Sequence, residues 1–80
     1  MINFIPGKMY EFTQARVVCF HTEEPKGARP TEVIEGDRLI FIEEMDNNPD
    51  IRRCKFLFGD KIISSNMRLA YLSNGWKLVD

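Results

Sequence analysis

Apolar and polar residues alternate in several short runs, which is the pattern of β-strands with one buried face. In the clearest run, Cys54, Phe56 and Phe58 occupy one phase and basic residues occupy the other. Turn-forming residues separate the runs at roughly the 8–12-residue spacing of small sandwiches and barrels. We therefore expect a mainly β fold with five to six antiparallel strands. The strands are predicted over Lys8–Thr13, Arg16–His21, Arg38–Glu44, Arg53–Phe58, Lys61–Ser64 and Trp76–Val79.

One segment, Asn66–Leu72, has helical spacing instead of alternation. Ser65 or Asn66 suits its N-cap, and Asn74-Gly75 suits its C-terminal end. We expect one or two turns there, as α-helix or as a 3₁₀ turn.

The stretch from about 22 to 34 contains two prolines, one glycine and few large apolar residues. It predicts a long polar loop, which in so small a domain is usually functional or disordered. The 80 residues suffice for a single domain, residues 1–80, with a thin core. The predicted core residues are Trp76, Phe41, Phe56, Phe58, Leu39, Ile62, Leu69 and Val17.

Composition is that of a globular protein, with 44% hydrophobic and 29% charged residues. The sequence has neither an apolar run long enough to span a bilayer nor the pattern of a signal peptide, so the expected compartment is the cytoplasm, or the host cytoplasm if the protein is viral. Cys19 and Cys54 form no C-x-x-C pair, and we expect two buried thiols. A disulfide between them is the less favoured alternative.

The net charge of −1 conceals an uneven distribution. Residues 23–50 hold nine acidic and three basic residues, and residues 51–77 hold six basic residues and one acidic residue. Unless the fold interleaves these two segments, the molecule has an acidic end and a basic end. Such asymmetry affects partners and association rates.

The order of the predicted elements resembles that of an SH3-like small barrel across essentially the whole chain. A first strand with Tyr10 and Phe12 precedes the long polar loop, and the Gly36–Leu39 segment resembles the "GD-x-L" step into the second strand of that fold. The resemblance implies a short helical or 3₁₀ turn before the last strand. Peptide-binding SH3 domains have a tryptophan pair that opens the third strand, whereas the third strand here holds Phe56 and Phe58 and no tryptophan. Their peptide-binding proline before the 3₁₀ turn is also absent, because Ser65-Asn66 stands there.

No catalytic motif is present, so we expect no enzymatic activity and no cofactor. Cys19 and His21 share a strand face but lack the third group of a nucleophilic triad. A calcium-like Asp46–Asp50 pattern lacks the glycine and the bidentate glutamate that an EF-hand requires, and no metal site is expected.

The expected function is a protein-interaction module, such as an adaptor or a small inhibitor of the kind that a phage directs at a host protein. Its acidic surface would bind the partner and steer the encounter. The candidate binding residues are Glu23, Glu24, Glu32, Glu35, Glu43, Glu44 and Asp46.

Two alternatives belong to other classes. One is nucleic-acid binding through Arg52, Arg53, Lys55 and Arg68, with Phe58, Tyr71 and Trp76 as neighbouring aromatic residues. The other is a structural homo-oligomer, in which an edge strand such as Lys8–Thr13 or Trp76–Val79 pairs with another copy. We expect no membrane partner.

Overall fold

A computed structural model describes residues 4–22, 27, 29–44, 51–68 and 74–79, except for the side chains of 51–53 and 66–68. All regular structure in these residues is β-strand. The strands are β1 (Met9–Phe12), β2 (Val18–Thr22), β3 (Pro30–Val33), β4 (Arg38–Glu44), β5 (Ile51–Phe58), β6 (Lys61–Arg68) and β7 (Trp76–Leu78).

The seven strands form one antiparallel sheet in the order β3-β2-β6-β5-β4-β1-β7. The mainly β prediction is confirmed, but the predicted number of five to six strands is wrong. The additional strand is β3, which pairs with β2 and places Pro30 opposite His21. Part of the segment expected as a loop from 22 to 34 is therefore strand.

The predicted helical turn is wrong at its beginning, because Asn66, Met67 and Arg68 belong to β6. That strand pairs with β5 continuously from Phe58↔Lys61 to Ile51↔Arg68. A continuous ladder of backbone hydrogen bonds overrides a weak local preference for helix. Residues 69–72 of the prediction lie outside the described residues.

The sheet curls into a half-barrel, so that strands far apart in its order meet on the inner face. The rings of Phe20 in β2 and Trp76 in β7 have centroids 6.4 Å apart. Five strand spacings separate β2 from β7, which in a flat sheet would be about 24 Å. The curl therefore creates the interior of the domain.

Among the described residues, ten hydrophobic side chains are buried in this interior. Leu39, Phe41, Phe56 and Trp76 were predicted, and Phe58 packs against them while partly exposed. The predictions for Val17 and Ile62 are wrong, because these side chains are 57% and 45% exposed. Leu69 lies outside the described residues. The unpredicted members are Tyr10, Phe12, Phe20, Val33, Cys54 and Ile63.

A tight turn carries the chain from β3 into β4 and fixes it against β1. Gly36 has a φ of +92°, and its N–H donates to Phe12 O at 2.8 Å. The Asp37 carboxylate accepts a hydrogen bond of 2.8 Å from Ile34 N–H. The Gly-Asp pair thus forms the expected turn before Leu39, the first buried residue of β4.

Candidate interaction surface

Aromatic rings fill the inner side of the sheet. Phe4, which precedes β1, lies 4.6 Å from Tyr10, 5.4 Å from both Phe41 and Phe56, and 5.9 Å from Trp76, measured between ring centroids. Its segment is held by a hydrogen bond of 2.7 Å from Ile5 N–H to Tyr10 Oη. Because side chains occupy this space, the surfaces open to a partner are the outer face and the edges of the sheet.

The outer face carries four apolar side chains in register, one on each of four adjacent strands. Met9 in β1 is opposite Ile40 in β4. Ile40 is opposite Leu57 in β5, and Leu57 is opposite Ile62 in β6. We call these four residues the outer row.

The side chains of the outer row point away from the core because each neighbours a buried residue of the opposite phase. Ile62, beside buried Ile63, is 45% exposed. The other three members are partly exposed. With about 4.8 Å between strands, the row extends over about 14 Å. The outer row is therefore a continuous apolar strip on the solvent-facing side of the sheet.

Ion pairs lie on both sides of the outer row. On one side, Glu11 in β1 is paired with Arg38 of β4 at 3.0 Å and with Lys77 of β7 at 3.4 Å. On the other side, Glu43 of β4 is paired with Lys55 of β5 at 3.7 Å. An apolar strip with a charged border is the usual organisation of a protein interface.

Glu11 lies between two cations because its strand is central to the three. The register places Arg38 and Lys77 directly opposite it on the two neighbouring strands. The hydrogen bond from Arg38, with a smaller contribution from Lys77, lowers the pKa of the Glu11 carboxyl group below its ordinary value. Glu11 is therefore ionised at neutral pH and holds the two cations beside the outer row.

The predicted acidic residues that the structure describes do not form one cluster. Glu35 lies before the start of β4, whereas Glu43 and Glu44 lie at its end. About 23 Å of extended strand therefore separates Glu35 from these two residues. Glu32 lies on β3, at the edge of the sheet. All four are exposed. Glu23, Glu24 and Asp46 lie outside the described residues.

The predicted basic residues lie on the two central strands β5 and β6. Lys55 is partly exposed and is paired with Glu43, so the acidic and basic segments of the sequence interleave here. Arg52 and Arg53 lie in β5 and Arg68 in β6, and their side chains are outside the described part of the structure.

The three aromatic residues near the basic set have different positions. Trp76 is 8% exposed and packs in the core, so its faces are not available to stack on a base. Phe58 packs partly against the core. Tyr71 lies outside the described residues.

The prediction of two buried thiols is correct for Cys54 and wrong for Cys19. Strand β2 turns Phe20 and Thr22 inward, so the alternate residues Cys19 and His21 are exposed. Neither cysteine is part of a disulfide bond. Among the described residues, no three His, Cys, Asp or Glu side chains are grouped in a way that would hold a metal ion.

Comparison with known proteins identifies no relative: no protein-family model, curated protein or solved structure matches this chain. The part of the chain described by the structure contains no helix with the length and apolar character needed to cross a membrane.

Sequence reasoning missed the outer row. The signal was present in β4, whose first apolar residues occur in both phases, as in a strand that is covered on both sides. The register across four strands was needed to show that Ile40 has apolar neighbours outside the core as well as within it.

Proposed function

We propose that this chain is a non-enzymatic protein-interaction module that binds its partner through the outer row, with Glu43 and Glu44 as acidic contacts at the end of β4. The observation that supports this proposal most directly is the alignment of Met9, Ile40, Leu57 and Ile62 on one exposed face. Scattered apolar residues are common on surfaces, but continuous strips mark interaction sites.

The charged border favours a partner with an apolar strip of its own and basic residues at its rim. Glu43 is exposed beside the outer row, and Glu44, whose side chain points to the opposite face of the sheet, is exposed at the same end of β4. Charge complementarity at this end of the strand accelerates association and selects the partner. Lys55 already pairs with Glu43, so a basic group of the partner would extend an existing ion pair into a small network.

The resemblance to SH3-like barrels is part of the same proposal. The curled antiparallel sheet and the Gly36-Asp37 turn into β4 support it. An SH3-like module that lacks the usual proline-peptide residues would bind through a different surface, and the outer row offers one.

Capture of a partner from lysate of the native or host cell, followed by mass spectrometry, tests the proposal with matched variants. Ile62→Lys places a charge in the outer row at a position that is already 45% exposed, so folding should persist. Ile34→Lys makes the same change at a 49% exposed isoleucine outside the row. We expect Ile62→Lys to reduce capture at least tenfold and Ile34→Lys to leave it unchanged. Equal capture by both variants would contradict the proposal.

A second pair of variants, which change the net charge by the same amount, tests the acidic contacts. Reversing Glu43 and Glu44 to lysine should weaken capture, whereas reversing Glu32 and Glu35 to lysine should not. If both double variants lose the partner equally, general charge steering and not this surface accounts for binding. If capture requires intact nucleic acid and falls steeply with salt, the basic residues of β5 and β6 become the better candidate site.

A further inference from the structure

The two edges of the sheet differ in their ability to accept another strand. At the β7 edge, Thr13 N–H donates to Gly75 O at 2.7 Å and Val79 N–H donates to Met9 O at 3.0 Å. Residues 75, 77 and 79 thus direct their backbone groups toward β1. In an antiparallel ladder the alternate residues, Trp76 and Leu78, direct theirs away from it. No described residue hydrogen-bonds to these outward groups.

The opposite edge, formed by β3, is protected. Thr22 N–H donates to Arg29 O at 2.8 Å, so the backbone groups of residues 29, 31 and 33 point toward β2. The backbone groups of Pro30 and Glu32 point away from β2, to the outside of the sheet. Proline has no N–H to donate, and charged residues and prolines on edge strands oppose pairing. The β3 edge is therefore poorly suited to continue a ladder that begins at the β7 edge of another copy.

This difference between the edges decides which assembly is possible. Pairing of β7 with β3 of the next copy would generate an open chain of molecules, but Pro30 and Glu32 oppose it. Pairing of β7 with β7 is symmetrical and closes after two copies. The sheet is thus arranged for a dimer and against a filament.

The side chains of β7 favour one register for such a pair. Leu78 is 50% exposed although it shares the phase of the buried residues Tyr10 and Trp76. A register centred on Leu78 places this side chain against its own copy and places Lys77 opposite Val79. A register centred on Lys77 would instead place two lysines directly opposite each other, which is unfavourable.

We propose that two copies of this chain associate through antiparallel pairing of their β7 strands, centred on Leu78, to form one continuous sheet across the dimer. The contact uses a different part of the molecule from the outer row, so either proposal can fail without the other. A pair of such short strands buries little surface, and we expect a weak dimer that forms at high protein concentration.

Disulfide trapping tests the register. Residues opposite each other in a hydrogen-bonded antiparallel pair have Cα atoms about 5.5 Å apart, within the range that a disulfide bridges. In a Cys19→Ser background, which removes the exposed native thiol, Leu78→Cys should form a covalent dimer under mild oxidation. Val17→Cys, at a position that is 57% exposed, is the matched control and should react at least tenfold more slowly. Equal rates of disulfide formation in the two variants would show that the cysteines meet by random collision, and would overturn the proposal.

Sedimentation equilibrium of the native chain tests the dimer without a crosslink. The weight-average mass should rise from 9.4 kDa toward twice that value as the concentration approaches about 1 mM. Leu78→Lys should weaken the association at least tenfold, and Val17→Lys should not affect it. A mass of 9.4 kDa at every concentration, or a dimer that Leu78→Lys leaves intact, would overturn the proposal. If the mass stays at that of the monomer, the unpaired edge of β7 would remain available to a strand of another protein.

Discussion

The rings of Trp76 and Phe56 stack with their centroids 5.8 Å apart and their planes 9° from parallel. Trp76 belongs to the edge strand β7 and Phe56 to the central strand β5, three positions away in the sheet. In a flat sheet about 14 Å would separate the two strands. The contact thus exists only because the sheet curls, and it connects the last strand of the chain to the centre of the core.

Replacing Trp76 with alanine should therefore disrupt both the core and the curl. Removal of a buried aromatic ring costs about 3–5 kcal/mol. A domain of this size is expected to have a free energy of unfolding of only about 5 kcal/mol, so the variant should be close to unfolded at 25 °C. Urea denaturation followed by circular dichroism measures the loss, with Val17→Ala as an exposed control.

Trp76→Phe should be tolerated far better. Trp76 Nε1 is buried and has no acceptor among the described residues, and a buried donor without a partner is unfavourable. Phenylalanine keeps an aromatic ring against Phe56 and removes this donor, so we expect a cost of about 1 kcal/mol or less. A loss as large as that of Trp76→Ala would indicate that the indole N–H has a partner.

Phe4 stabilises the domain from outside the sheet, and its removal should expose four rings of the interior. The ring contacts Tyr10, Phe41, Phe56 and Trp76, yet Phe4 is itself only partly buried. Phe4→Ala should lower the free energy of unfolding by about 2–3 kcal/mol, below the full cost for a buried phenylalanine. Thermal unfolding provides the measurement. Ile5→Ala, at a 51% exposed neighbour, should cost less than about 0.5 kcal/mol.

Strands with a long apolar run or a clear alternation could be predicted from the sequence. Arg38–Glu44 has the predicted bounds, and the inward set of Cys54 and Phe56 in β5 is also as predicted. Strand β3 was missed because Pro30–Val33 has a proline and a single large apolar residue. It forms at an edge, where proline is tolerated, and it buries Val33 fully against the core.

Contacts between residues that are far apart in the sequence could not be predicted from the sequence. The ion pair between Glu11 and Arg38 joins residues 27 positions apart, and only the β1–β4 register reveals it. The outer row likewise depends on three registers at once. Short runs such as residues 66–68 fit either helix or strand locally, and their long-range pairing with β5 decides between them.

Gly75, directly before β7, is a position where a side chain should be costly. Its φ is +96°, and a Cβ atom there would lie 2.8 Å from Gln14 Cγ and Cδ. Gly7 has a φ of +85° but open space around it, so it isolates the backbone effect. Chemical denaturation should show a loss of about 1–2 kcal/mol for Gly7→Ala and a larger loss for Gly75→Ala. Combining Gly75→Ala with Gln14→Ala should remove the difference, and equal losses in both single variants would refute the steric explanation.

Glu11 should make the stability of the domain depend on pH. Its folded-state pKa lies below the ordinary value of 4.5, so its ionised form stabilises the folded state above that pH. As the pH falls from 4.5 through the lowered pKa, the carboxyl group takes up a proton and this contribution is lost. Glu11→Gln should therefore be less stable than the wild type near pH 7, and the difference in stability should shrink as the pH falls below 4.5. Added salt should reduce the difference at pH 7, because the paired Lys77 is largely exposed. Glu32→Gln, whose carboxylate has no ion pair among the described residues, is the matched control and should be as stable as the wild type near pH 7. A difference between Glu11→Gln and the wild type that does not shrink as the pH falls below 4.5 would mean that the shape of the glutamate, and not its charge between Arg38 and Lys77, stabilises the sheet.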